Sequence, residues 1–290
     1  MPRFPVGNLA SINLAETHGW NLSAAWFAQE LDTPYAGRDE IANPEGRRNV
    51  QQSLLLLAEF GLSERLALSG SLPLRHIRAE GEFEARTSGL GDAEAVLRYG
   101  ALPLTLTSRF NLNLLGGLGL PTGRSEGEEF ALENIQFGVG DFTGIAGFEM
   151  SWLFHSTVST FFRSQGRFVL GANRDGYRFG DAFDNALGAS IRVGAGGSRI
   201  MAQVSTLHLE QDRQDGSPVI SRGGRWVYGS AGVRFQAGRR GGIIGLVQRV
   251  ISVDVRGDQL VSPWNLLLGY DIRIPGHRHD GAHGHPDAGE

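Results

Sequence analysis

The chain has 290 residues, 41% of them hydrophobic, with a formal net charge of −4 and no cysteine. No run of about 18 apolar residues occurs, which excludes a transmembrane helix. The charge gives no electrostatic footprint for nucleic acid, and the lack of cysteine excludes disulfide scaffolds, thiolate metal sites and thiol nucleophiles. All 27 basic residues are arginine, and 42 glycines suit many turns in a tightly curved sheet.

Trp20, Leu22, Ala24 and Trp26 share one face of a first strand, Trp20 to Leu31. A loop with two prolines and many charges fills 34–48, and a second strand follows at 49–60. From Leu66 the alternation is clean: Leu66, Leu68, Leu72 and Leu74 against Ala67, Ser69, Ser71 and Arg75. This third strand, 66–78, gives way to a polar loop at 79–90. A fourth strand is expected at 91–99 and a fifth at 104–120, where Leu112, Leu114, Leu118 and Leu120 oppose Asn111 and Asn113. A fifth strand of that length lies far above the usual mode of about 5–6 residues.

After an acidic loop at 121–135, strands are expected near 137–150 and 154–165. A loop rich in Gly, Asn and Asp follows at 166–178, then strands near 180–193 and 199–209. Beyond a polar loop at 210–223, the last strands are expected at 225–236, 242–256 and 262–274. Twelve strands result, with long and short connections in alternation. Outer-membrane barrels have this rhythm, because one rim carries tight turns and the other longer loops. The pattern predicts an all-β, closed, antiparallel up-and-down transmembrane β-barrel, with irregular residues 1–17, the barrel at 18–275 and a flexible tail at 276–290. Closure leaves no unpaired strand edge in lipid. Both termini then fall on the short-turn side, the periplasm.

Apolar faces point to lipid and polar faces to the lumen. The residues expected to line the lumen are Arg75, Glu94, Arg98, Arg109, Asn111, Asn113 and Glu149 in the first half. In the second half they are Arg163, Arg192, Arg234, Asp254, Asp271 and Arg273. Such a face is either an internally paired wall that stiffens the barrel or an arginine-rich selectivity lining.

Three stretches carry a family resemblance: FGLSERLALSGSLPLRH (60–76), SGLGDAEAVLRYG (88–100) and LNLLGGLGLPTG (112–123). In this order and spacing they resemble the outer-membrane barrel family named for the MetA pathway of phenol degradation. A second Gly-x-Gly-Asp, Gly138 to Asp141, fits the same habit of restarting a strand after a long loop. The resemblance implies a bacterial outer-membrane transporter of small, hydrophobic compounds with no catalytic residues. Locally, Gly91 is expected to supply a positive φ at a rim and Asp92 to bind backbone amides where a strand begins. Pro121-Thr122-Gly123 should end a strand. The last strand, WNLLLGYDIRI, resembles the C-terminal signal of outer-membrane barrels, without the usual terminal aromatic. Against this reading, the opening Met-Pro-Arg-Phe-Pro-Val-Gly lacks the cationic and apolar regions of a signal peptide.

The tail holds His277, His279, His283 and His285, a density that can bind a divalent transition metal. One alternative is therefore a barrel with a structural or metal-related role through its periplasmic tail. A second is an outer-membrane lipid hydrolase, for which His155 and Ser156 on strand seven and Asn185 on the next strand are the candidates. Adjacent strand residues face opposite ways, so His155 is badly placed to activate Ser156. The expectation is a passive channel, not an enzyme, without cofactor, whose partners are the lipid bilayer and a small-molecule solute.

Overall fold

A computed structural model describes residues 15–81, 84–103, 108–124, 137–194 and 196–276. Twelve antiparallel strands close into a barrel. The first six are β1 (Trp20–Leu31), β2 (Arg48–Gly61), β3 (Leu66–Glu80), β4 (in two pieces, Ala85–Leu90 and Ala93–Leu102), β5 (Phe110–Leu120) and β6 (Thr143–Leu153). The others are β7 (Val158–Val169), β8 (Ala182–Val193), β9 (Ser198–Leu209), β10 (Gly224–Ala237), β11 (Gly241–Val255) and β12 (Trp264–Ile274). Each strand pairs with its sequence neighbours, and β1 pairs with both β2 and β12, with Trp20 opposite Ile274. The strand count and up-and-down order follow the sequence pattern.

Outside, the wall is apolar. Leu114, Leu118, Leu187, Val247 and Leu268 stand exposed at alternate positions while their neighbours point inward and are buried or half-buried. Aromatic side chains edge this band. At the short-turn end Trp20 packs on Phe60 with ring centroids 4.7 Å apart, and Trp152 stacks on Phe154 at the same distance. At the long-loop end Trp264, with the Arg249 guanidinium 5.1 Å from its ring, and Phe142 and Phe168 are exposed. From Phe142 to Trp152 the strand advances about 33 Å, or about 25 Å along the barrel axis at a tilt near 40°.

Four local departures from the sequence reading matter. Residues 85–90, expected as loop, pair with β3 from Ala79↔Ala85 to Leu74↔Leu90. The ladder resumes at Ser71↔Glu94, so β4 carries one residue more than β3 across this gap, and its inward face changes from odd to even numbers. Gly91 sits at this bulge without a positive φ. It is needed for space, since a Cβ would lie 2.8 Å from Pro73 Cγ and 3.2 Å from Arg75 Nε. The sixth strand begins at Thr143, not 137, and the fifth at Phe110; the expected strand residues 104–107 lie outside the described ones. Finally, the long loops carry short ladders of their own, Thr33–Ala36 with Asp39–Glu40 and Asp258–Val261, and Tyr177–Arg178 with Arg213–Gln214.

Candidate functional site: the lumen

The inside of the barrel is built in two unlike halves. On β2 to β8 it is a wall of paired charges. Arg98 on β4 is 4% exposed and joins two buried carboxylates, Glu59 on β2 and Glu149 on β6, the latter at 2.7 Å. To reach Glu59 its side chain passes over β3 at Ala67, its ladder partner, which is fully buried and small. Glu59 also accepts from Asn21 Nδ2 at 3.1 Å and from the Ala15 amide at 2.8 Å. Arg163 on β7 lies 3.8 Å from Glu149 and donates to Gln165. Further along, Arg167 grips Glu94 through Nε and Nη2 at 3.0 and 3.4 Å and Asp184 through Nη1 at 3.1 Å. Fork-to-carboxylate contacts of this kind are stronger than neutral hydrogen bonds and hold the side chains in one geometry.

The other half, from β9 round to β1, is apolar in two layers with an amide layer between, above a short-turn rim that carries Arg199, Arg234, Asp271 and Arg273. Nearer the short turns, Phe27, Ile244, Leu246 and Leu267 pack together with Met201. Above them lie buried amides and hydroxyls: Gln29 donates to Gln51 at 3.0 Å, Asn265 to Gln248 at 2.8 Å, and Gln248 to Ser230 at 3.3 Å. At the long-loop end Leu207, Trp226, Tyr228, Val253, Val255 and Val261 form a second apolar cluster. Between the halves runs a cavity of about 270 Å³, lined by Arg75, Arg98, Arg163 and Arg167 of the charged wall, by Phe27 and Leu267 of the apolar one, and by Leu55 and Leu57 of β2.

Asp92 organises the long-loop end of this cavity. Its carboxylate accepts from the Gly123 amide at 3.0 Å and the Val139 amide at 2.7 Å, and so ties the loop after β5 to the break in β4. Phe137, fully buried, packs beside Ile77, Ala79 and Ala85. Thr122 Oγ1 closes the same corner, accepting from the Ala93 amide and donating to the Gly91 carbonyl.

Of the residues expected in the lumen, Arg75, Glu94, Arg98, Glu149, Arg163, Asp271 and Arg273 line the cavity. Asn111 and Asn113 are buried on the inner face of β5, and Arg234 holds Asp271 through Nε and Nη2 at 3.2 and 2.7 Å. Arg192 has the inward parity of β8 but stands exposed at the short-turn rim. Two placements differ. Arg109 precedes β5 at that rim and donates to the Phe154 carbonyl at 3.1 Å. Asp254 lies outside the lumen, exposed and bridged to Arg38 at 2.8 Å, because an irregularity in the β10–β11 ladder reverses the parity after Val250 and turns Val253 and Val255 inward instead. Glu59, Arg167, Asp184 and Arg199 also face the lumen and were not singled out from the sequence.

The hydrolase candidates do not assemble. His155 and Ser156 sit in the exposed turn before β7, not on it, and the His155 imidazole lies 3.0 Å from Thr157 Oγ1 and 3.3 Å from Ser156 Oγ. Asn185 is on the outer wall of β8, bonded to Thr206, and pairs with Ser164, roughly 20 Å along the strand from that turn. The four tail histidines lie outside the described residues. Among the described residues no group of three His, Cys, Asp or Glu side chains is placed to hold a metal ion.

No protein-family model matches the chain, and no curated protein matches it. Among solved structures it is similar to the COG4313 outer membrane channel from Pseudomonas putida F1, with a TM-score of 0.74 and 12% identity over 92% of this chain and 98% of that one. The fold is that of an outer-membrane barrel. A looser similarity, TM-score 0.51 at 11% identity, covers 88% of this chain and 99% of the β domain of a Bordetella autotransporter, BrkA.

Proposed function

We propose that the protein is a passive channel of the bacterial outer membrane that passes small molecules through its lumen. The observation that carries this reading is the inversion of polarity across the wall: an apolar outer band about 25 Å tall around a lumen with buried Arg98, Glu59 and Glu149. A water-soluble barrel would have no use for an apolar exterior, and charges facing lipid would cost too much to keep there. The chain is then organised as an N-terminal segment, the barrel and a His-rich tail. Residues lining the cavity select the solute, and no residue is assigned chemistry.

The resemblance of 60–76, 88–100 and 112–123 to the family named for the MetA pathway fits this reading. Those stretches build β2 to β5 and the Asp92 corner, which set the shape of the cavity. A lumen that is ion-paired on one side and apolar on the other suits molecules with both kinds of surface. The test is efflux from liposomes carrying the refolded protein. Small aromatic alcohols and acids should leave faster than from protein-free liposomes, and a large trapped dextran should not. Equal efflux with and without protein would reject the channel.

A further inference from the structure

We propose that the short-turn mouth of the barrel binds the carboxylate head of a small amphiphilic acid, whose apolar part lies against the lumen wall just above. This rests on the channel reading and names the class of solute it favours.

Like charges face one another here. Arg192 on β8 is the ladder partner of Arg199 on β9, which is in turn the partner of Arg234 on β10. Side chains directly opposite across strands lie close enough that like charges destabilise the sheet. Arg273 on β12 adds to the cluster, and all three others act electrostatically on Arg199.

Among the described residues this charge is compensated only once, through Asp271, which is taken up by Arg234. The guanidinium of Arg234 crosses β11 over Gly242 to reach it, where a Cβ would meet that guanidinium and push it aside. Arg199 finds, among the described residues, only the Ser159 and Ser190 hydroxyls, at 3.2 and 3.0 Å. Among the described residues the side chains of Arg192 and Arg273 make no hydrogen bond or ion pair. By contrast, Arg98 and Arg167 each hold two carboxylates. The mouth is thus a set of forked donors short of acceptors, the geometry that takes a carboxylate through paired N–H···O bonds.

What lies above decides the class of anion. One inward step from Arg199 is Met201, and one from Gly242 is Ile244, each about 7 Å deeper. Both belong with the apolar layer of Phe27, Leu246 and Leu267. The cavity reaches Arg273 and Asp271 at the mouth and Phe27 and Leu267 above them, so the Arg273 edge of the cluster and the apolar layer border one space. An inorganic anion would use the arginines and leave the apolar wall bare; an organic acid with a few carbons or a ring covers both.

The experiment titrates the full chain, refolded into lipid nanodiscs, with benzoate, acetate and benzyl alcohol, read by calorimetry. Benzoate should bind most tightly, and raising salt from about 0.05 to about 0.5 M should weaken it several-fold. In the double variant R192Q/R273Q, which removes no hydrogen bond or ion pair among the described residues, benzoate should bind roughly tenfold more weakly while benzyl alcohol is unchanged. Acetate binding as tightly as benzoate, benzyl alcohol binding as tightly as benzoate, or an unaltered variant would each overturn the site. The salt titration uses the native chain and decides the matter even if the variant does not fold. A barrel that binds benzoate but passes no solute in the liposome assay would reject the channel and keep the site; the reverse result would reject the site alone.

Discussion

Replacing Arg98 with methionine should destabilise the barrel heavily. Arg98 is 4% exposed, and the side chains of its partners Glu59 and Glu149 are each 8% exposed, so the substitution strands two nearly buried carboxylates. Breaking a buried ion pair by removing one partner costs about 3–5 kcal/mol, mostly the penalty of the unpaired charge. Glu59 keeps Asn21 and the Ala15 amide, and Glu149 keeps Arg163 at 3.8 Å. These leftovers soften the loss, so R98M should cost about 3 kcal/mol rather than twice the single-pair figure. Removing both charges as well, in E59Q/R98M/E149Q, should restore most of the loss, because a neutral trio has no orphaned ion. R98K should fall between, since an ammonium lacks the fork that serves two carboxylates. The assay is urea unfolding of protein refolded in vesicles, followed by tryptophan fluorescence and gel mobility. An R98M barrel within about 0.5 kcal/mol of wild type, or a triple variant no better than R98M, would refute the reasoning.

Leu114→Arg places a charge on the outer wall near the middle of β5, where Leu114 is 46% exposed; it should cost about 2–4 kcal/mol in bilayers and show as reduced folding yield into vesicles. Asp92→Ala deletes the acceptor of two amides; at about 1.5–3 kcal/mol for a hydrogen bond to a charged group, the loop after β5 should become protease-sensitive while the barrel still resists heat in detergent. Gly242→Ala should displace Arg234 from Asp271 and speed proteolysis at the short-turn end, with a smaller stability loss than R98M, because that pair is only half-buried.

The strand pattern was legible because a closed barrel with lipid outside demands strict alternation, and β3, β5 and β12 display it openly. Parity failed where an extra residue enters a ladder. Nothing in the side chains around Gly91 or Val250 announces the change, so 85–90 read as loop and Asp254 read as luminal. Glu59 was hidden by the run Leu54–Leu57, in which Leu55 and Leu57 face the cavity while Leu54 and Leu56 face out. Arg167 was missed because the strand carrying it continues past 165, through a glycine and a charge, to Val169. The pairing of arginines with carboxylates two or three strands away depends on barrel curvature, which no local spacing records. Asp92 was the exception: a carboxylate after Gly at a strand start has few other uses, and its two amide partners answer that expectation.

Conductance across a planar lipid bilayer tests the central claim most directly. A membrane-spanning barrel with a solute path should insert in discrete steps and carry ions, with anions preferred because the short-turn mouth holds Arg192, Arg199 and Arg273 without carboxylate partners among the described residues. Insertion without any conductance, or protein that stays monomeric in plain buffer and never enters the bilayer, would contradict it.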